Sequence, residues 1–278
     1  MLRKGKNPIA CLLLHGFTGS PAEMEGLAAF LRNQGCEVSV PTLPGHATQP
    51  EDLRNISHKT WIAASEKAFL DFRRNHPVIF VIGLSMGGAL ALHLAAHHQF
   101  AGVVTLAAAL KMPLKQEIAS YVFAPFIAVR YKPNGPDVHD AEAKARLRNY
   151  DRYPLAAARE LMRMLRKIRV ELPKVNMPIL AIHSRADHVV PFDNLELLMR
   201  RVKSSQREQL VVENSYHVLT VDYDRQMIFE RIWKFIQRHS LQLGVENHSA
   251  FATLTSTPDF RQTENEGQNT NESRPKRF

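Results

Sequence analysis

Apolar and polar positions along the chain follow two alternating rhythms. Short aliphatic runs recur, and each is followed by a stretch in which apolar residues return every three or four positions. The first rhythm is that of a strand buried on both faces, the second that of a helix with one apolar stripe. Their alternation predicts an α/β fold in which helices flank a mostly parallel central sheet. Strands are expected at Ile9 to Leu14, Cys36 to Val40, Val78 to Ile82, Gly102 to Leu106, Ile179 to His183 and Glu208 to Glu213. Helices are expected from about Pro21, with proline at the first position, to Asn33, and at His58 to Arg74, Met86 to His98, Phe192 to Val202 and Arg225 to His239.

The alternation stops between about Lys111 and Pro173. No strand is apparent there. Two helical patterns, Lys115 to Val129 and Leu155 to Glu171, flank a polar stretch containing Lys132-Pro133-Asn134-Gly135-Pro136. The simplest account is a core made of 1–110 and 174–243, with 111–173 inserted as a helical cap over one end of the sheet. The alternative is extra helix lying on a sheet face. From Gly244 onward Asn, Ser, Thr, Gln and Glu dominate. Segment 244–278 reads as a disordered tail, because its few apolar residues cannot offset the entropy of ordering.

Composition narrows the class. The chain has 278 residues, 45% apolar and 23% charged, as in an ordinary globular protein. No apolar window approaches the ~18 residues of a membrane span, so stable membrane insertion is not expected. The basic N-terminus leads into a short apolar run that ends in His15-Gly16, which is no export signal and points to the cytoplasm. Cys11 and Cys36 fall within predicted strands and read as buried free thiols of a reducing compartment, with a disulfide left open. The net charge is +9, but the basic residues are scattered. Arg163, Arg166, Lys167 and Arg169 alternate with Leu161, Met164, Leu165 and Ile168, the pattern of a solvated helix face, so no nucleic-acid partner is expected. Nothing in the pattern specifies an oligomeric state.

Chemistry enters at Gly83-Leu84-Ser85-Met86-Gly87, which matches G-x-S-x-G. The pentapeptide alone is weak. Its placement between a buried strand and a helix is that of a nucleophile elbow, with Ser85 projected from a strained turn. A serine hydroxyl needs a base, and the base needs a carboxylate to orient it. Of thirteen histidines, His217 is the one placed in a loop after the last strand, in Asn214-Ser215-Tyr216-His217-Val218. Asp187 follows the preceding strand and completes the order Ser, acid, His. Asp193 reads instead as a helix cap, and Asp222 and Asp224 come after His217. A tetrahedral oxyanion requires fixed donors. The backbone N–H groups of Met86 and of Phe17, in His15-Gly16-Phe17-Thr18-Gly19, are the candidates, with His15 bracing that loop. Phe17, Phe123, Phe126 and Val189 are expected to line the substrate pocket. His93 and His97 lie four apart, a spacing that can bind zinc, but no Glu follows His93 and the spacing alone assigns no metal.

With these residues placed, the sequence resembles the α/β-hydrolase family, especially small bacterial carboxylesterases and monoacylglycerol-lipase-like enzymes. The resemblance spans about residues 9 to 240. It rests on LLLHGFTGSP at 12–21, PGH at 44–46, GLSMGG at 83–88, the Asp187 loop ending Val190-Pro191, and His217 with Val218. It implies a helical cap, no cofactor, no metal and a small-molecule ester substrate cleaved through an acyl-enzyme. A thioesterase or amidase of the same fold, and a non-catalytic binding protein on the same scaffold, are the alternatives.

Overall fold

The computed structural model describes residues 9–122 and 128–241. The strands are β1 (Ile9–Leu14), β2 (Glu37–Ser39), β3 (Val78–Leu84), β4 (Gly102–Leu106), β5 (Val129–Tyr131), β6 (Arg152–Pro154), β7 (Ile179–Ser184) and β8 (Arg207–Val212). Six of them form one parallel sheet in the order β2-β1-β3-β4-β7-β8. The inner strands β1, β3, β4 and β7 are buried at every position, as continuous aliphatic runs require. The edge strand β8 carries polar residues such as Arg207, Glu208 and Gln209.

Alternate residues of each strand enter opposite cores. Ala10, Leu12 and Leu14 join one apolar cluster, and Ile9, Cys11 and Leu13 join the other. The helices α1 (Ala22–Asn33) and α8 (Arg225–Leu241) cover the second cluster. The helices α2 (His58–Arg73), α3 (Met86–His97), α6 (Leu155–Glu171) and α7 (Asp193–Arg201) cover the first. Between β4 and β7 run α4 (Leu114–Val122), β5, α5 (Ala141–Arg146), β6 and α6. The chain leaves β1 toward β2 and returns to β3 on the other side of β1. That reversal opens a crevice at the carboxyl ends of β1 and β3, where ligands bind in sheets of this kind. No described helix is long and apolar enough to cross a membrane.

The expected strands and helices of the core appear within a few residues of their predicted ends. Three details differ. Segment 111–173 is not purely helical, because β5 and β6 pair antiparallel within it. Each has three residues, too few to display a period of two. The helix predicted from Lys115 to Val129 is α4, described to Val122, and Val129 belongs to β5. Pro21 stands at the N-cap of α1 rather than in its first turn. The tail predicted to be disordered, 244–278, lies outside the described residues.

Candidate active site

Ser85 joins β3 directly to α3 with φ 54° and ψ −113°. A non-glycine residue in that region carries ~1–3 kcal/mol of strain and persists only when its surroundings hold it. The Ser85 amide is tied to the Leu106 carbonyl of β4 at 2.8 Å. Its own carbonyl accepts from Ala89 and Ala109 at 3.1 and 3.2 Å. A Cβ on Gly83 would lie 2.1 Å from the Gly87 oxygen, and one on Gly87 would lie 2.1 Å from the Leu14 oxygen. Glycine at both positions lets the elbow press against α3 and β1.

His217 leaves the loop after β8. Its Nδ1 meets Asp187 Oδ2 at 2.8 Å. Asp187 stands after β7 with a fully buried side chain, and its Oδ1 accepts from the Val189 and Val190 amides, each at 2.8 Å. His183 adds a contact to Oδ2 at 3.3 Å. Burial disfavours the Asp187 carboxylate, yet the His217 charge and these hydrogen bonds hold its pKa far below the usual range. Burial likewise disfavours the His217 cation, but Asp187, with smaller help from Asp137 and Glu23, raises its pKa above 6.5. With Nδ1 donating to Asp187, the lone pair of His217 is on Nε2. Ser85 and His217 line the same cavity.

The loop after β1 is fixed from several sides. His15 Nε2 accepts from the Leu43 amide at 3.1 Å, so Nδ1 carries the proton and donates to the Gly16 carbonyl at 2.9 Å. The Gly16 amide donates to Glu23 Oε2 at 3.0 Å, and Asn149 Nδ2 donates to Glu23 Oε1 at 2.7 Å. Lys132 Nζ donates to Thr18 Oγ1 at 2.7 Å, and the Tyr150 amide donates to the Thr18 carbonyl at 2.9 Å. A trans peptide points its C=O and N–H in opposite directions. Holding the Gly16 carbonyl on His15 therefore aims the Phe17 amide away from His15. Neither the Phe17 nor the Met86 amide meets an acceptor among the described residues.

The cavity has two characters. Leu155, Ala158, Leu161 and Met162 present one face of α6 to it, with Met112 and Val189 beside them. Thr18, Glu23, Lys132 and Asn149 form a hydrogen-bonded polar group in its wall. Burial pushes the Lys132 ammonium down to about 8, against the pull of Glu23 and Asp151. Phe17 and Val189 line the cavity. Met86 opens α3 with its side chain buried. Phe123 and Phe126 lie outside the described residues. Asp193 is the first residue of α7 and pairs with Lys111 at 2.6 Å, while Phe192 holds the N-cap position. Asp222 is buried and accepts the His139, Asp140 and Tyr216 amides, a role in holding loops.

Sequence reasoning passed over Glu23, Lys132, Asn149 and Asp137. Asp137 accepts the His217 and Val218 amides on its carbonyl, each at 3.1 Å, and the His188 amide on its carboxylate at 3.1 Å. It thereby joins the loop of the acid to the loop of the base. None of the four sits in a recognisable motif, and the only local signal is polarity within an otherwise apolar or loop context.

A parallel sheet with a strained serine elbow at its topological reversal, and a buried Asp–His pair beside the same cavity, define an α/β-hydrolase. Residues 5–224 match the family model described as serine aminopeptidase, S33. The chain is 35% identical to a thermostable monoacylglycerol lipase of Bacillus sp. (strain H-257), over 84% of this chain and 92% of that one. It is 24% identical to a carboxylesterase of Bacillus subtilis (strain 168), over 82% and 92%. Among solved structures, one from a study of the metagenome-derived lipolytic enzymes LipS and LipT superposes with a TM-score of 0.80 at 36% identity, covering 84% of this chain and 95% of that one. The chain belongs to this serine hydrolase family, and it is an ester-hydrolysing enzyme.

Proposed function

We propose that Ser85 is the nucleophile, His217 the general base and Asp187 the carboxylate that orients it. The observation that carries this reading is the strained Ser85 elbow sharing a cavity with His217, whose Nδ1 is held by Asp187 at 2.8 Å. His217 Nε2 takes the Ser85 proton as Oγ attacks the ester carbonyl. The Phe17 and Met86 amides hold the oxyanion. The tetrahedral intermediate collapses to the acyl-enzyme, and the alcohol leaves with the proton from His217. Water, deprotonated by His217, then attacks the acyl carbon, and Ser85 recovers the proton as the acid departs.

The substrate class we infer is a monoacylglycerol-type ester. The apolar face of α6 suits an acyl chain, and the polar group of Glu23, Lys132 and Asn149 suits a hydroxylated alcohol. Segment 111–173 acts as the cap that closes this cavity. Its partner is this small molecule and not nucleic acid, since Arg163, Arg166 and Lys167 are paired with Glu160, Glu117 and Glu171. The buried free thiols of Cys11 and Cys36 fit a reducing cytoplasm. A fluorophosphonate should label the wild type and not Ser85→Ala. Monoacylglycerols should be turned over faster than acyl-CoA of the same chain length. Labelling that survives Ser85→Ala, or equal rates on thioester and ester, overturns the assignment.

A further inference from the structure

A second cluster of chemistry-bearing side chains lies where α2, α3 and α6 meet, and none of its members lines the cavity beside Ser85. His93 and His97 stand one turn apart on α3, their ring centroids 4.5 Å apart. Glu171, from the last turn of α6, faces both. Its Oε2 is 2.6 Å from His93 Nδ1, and its Oε1 is 3.3 Å from His97 Nε2. The other ring nitrogen of His93, Nε2, faces Glu66 Oε1 of α2 at 3.4 Å. The side chains of His93 and Glu171 are nearly buried, and that of His97 is 34% exposed, which gives the cluster a path to solvent.

We propose that His93 Nδ1, His97 Nε2 and the Glu171 carboxylate form a binding site for a divalent transition-metal ion, Zn²⁺ foremost, with water completing the coordination. Two imidazoles and a carboxylate are donors that zinc accepts at ~2.0–2.2 Å. Ligand atoms around such an ion sit ~3–3.5 Å from one another by tetrahedral geometry, and these three groups already place theirs within 4.8 Å. The placement of Glu66 is a further argument. A ligating histidine donates its second ring N–H to a carboxylate, which turns the lone pair of the first nitrogen toward the metal. Glu66 stands where that acceptor is needed. Lys167 Nζ rests on Glu171 Oε1 at 2.5 Å and is 45% exposed. It is the competitor that an incoming divalent ion displaces into water. Once bound, the ion joins α3, which begins at the elbow, to α6, which walls the cavity. The site is therefore a structural clamp rather than part of the ester chemistry.

The test uses the full chain after chelation and dialysis, titrated with Zn²⁺ by calorimetry and with Co²⁺ by visible absorption. One equivalent should bind, and Co²⁺ should show the d–d bands of nitrogen and oxygen ligation. Zinc at about a hundred times its Kd should raise Tm by ~5–10 °C. His97→Gln, at a part-exposed position, should abolish binding. Glu66→Gln should weaken it by ~10–100-fold, and Lys167→Met should tighten it. Absence of stoichiometric binding to the wild type overturns the proposal and leaves a buried ion-pair network. So does unchanged affinity in both His97→Gln and Lys167→Met, which would put the metal elsewhere on this histidine-rich chain.

Discussion

Replacing Glu23 by alanine should damage catalysis through the loop it holds rather than through any contact with the reacting carbonyl. The side chain is 2% exposed and accepts from the Gly16 amide and from Asn149 Nδ2. Truncation leaves both donors without their acceptor. Each buried orphan costs ~1–3 kcal/mol, and the lost bonds are of the charge-assisted kind. Two such losses together amount to about 3–5 kcal/mol, divided between folding and function. The folding share predicts a Tm lower by ~4–10 °C. The functional share follows from the Gly16–Phe17 peptide, because a released Gly16 lets the Phe17 amide drift from its aim. Complete loss of an oxyanion donor costs ~10²–10³ in kcat, so partial misalignment should cost ~10–100-fold in kcat. Glu23→Gln is the control. Its carbonyl can still accept from Gly16, and its amide nitrogen can donate to Asn149 Oδ1, which lacks a hydrogen-bond partner among the described residues. A rotation of the Asn149 amide then restores both contacts. Steady-state kinetics on a p-nitrophenyl ester and thermal unfolding of the three proteins decide the matter. An alanine variant with kcat within ~2-fold of wild type refutes the coupling. A glutamine variant as impaired as alanine refutes its hydrogen-bond origin.

The pKa of His217 is raised above 6.5, and only its neutral form can act as a base. The kcat/KM profile should therefore lose activity as pH falls through a value above 6.5, and an acid limb centred lower would contradict the Asp187 pairing. Asp187→Asn should reduce kcat by ~10³–10⁴ with little effect on KM, as tautomer control demands; a loss under tenfold would remove Asp187 from its role. Lys132 is lowered from 10.5 to about 8, so between those pH values the unfolded chain binds more protons than the native one. Wild-type stability should gain from this group as pH rises through that window. Lys132→Met should lack the gain in denaturant midpoints at pH 8 and 10, and identical pH dependence in the two proteins would refute it.

The legible parts of the molecule are those in which local sequence and global fold agree. The aliphatic runs at 9–14 and 102–106 became strands with the predicted bounds, because strands buried on both faces admit little else. Ser85 was recognisable because its elbow is a local object, set by five consecutive residues and the strand before them. Asp187 and His217 were singled out by chain order after β7 and β8, and the structure sets their side chains 2.8 Å apart. The polar frame around them was not legible, since its contacts are distant in sequence and have no period. Glu23 and Asn149 are 126 residues apart, and His93 and Glu171 are 78 apart. A polar residue destined for burial against a distant partner looks, in sequence, like any solvated one. The pair β5 and β6 escaped for a different reason: three residues do not display an alternation.

The stitches from segment 111–173 into the loops that carry the proposed catalytic residues have a consequence for how such enzymes diversify. Lys132 and Tyr150 grip the loop after β1, Asn149 grips Glu23 of α1, which in turn holds the Gly16 amide of that loop, and Asp137 grips the loop that carries His217. The segment proposed to cap the cavity therefore also braces the loops that carry the proposed catalytic groups. Grafting the corresponding segment from a relative would import a new pocket and at the same stroke unfasten two catalytic loops. Selectivity in this lineage can then shift readily by point changes along the inner face of α6, at Leu155, Ala158, Leu161 and Met162, which bear none of these stitches. Exchange of the whole segment demands simultaneous repair at Thr18, Glu23 and His217.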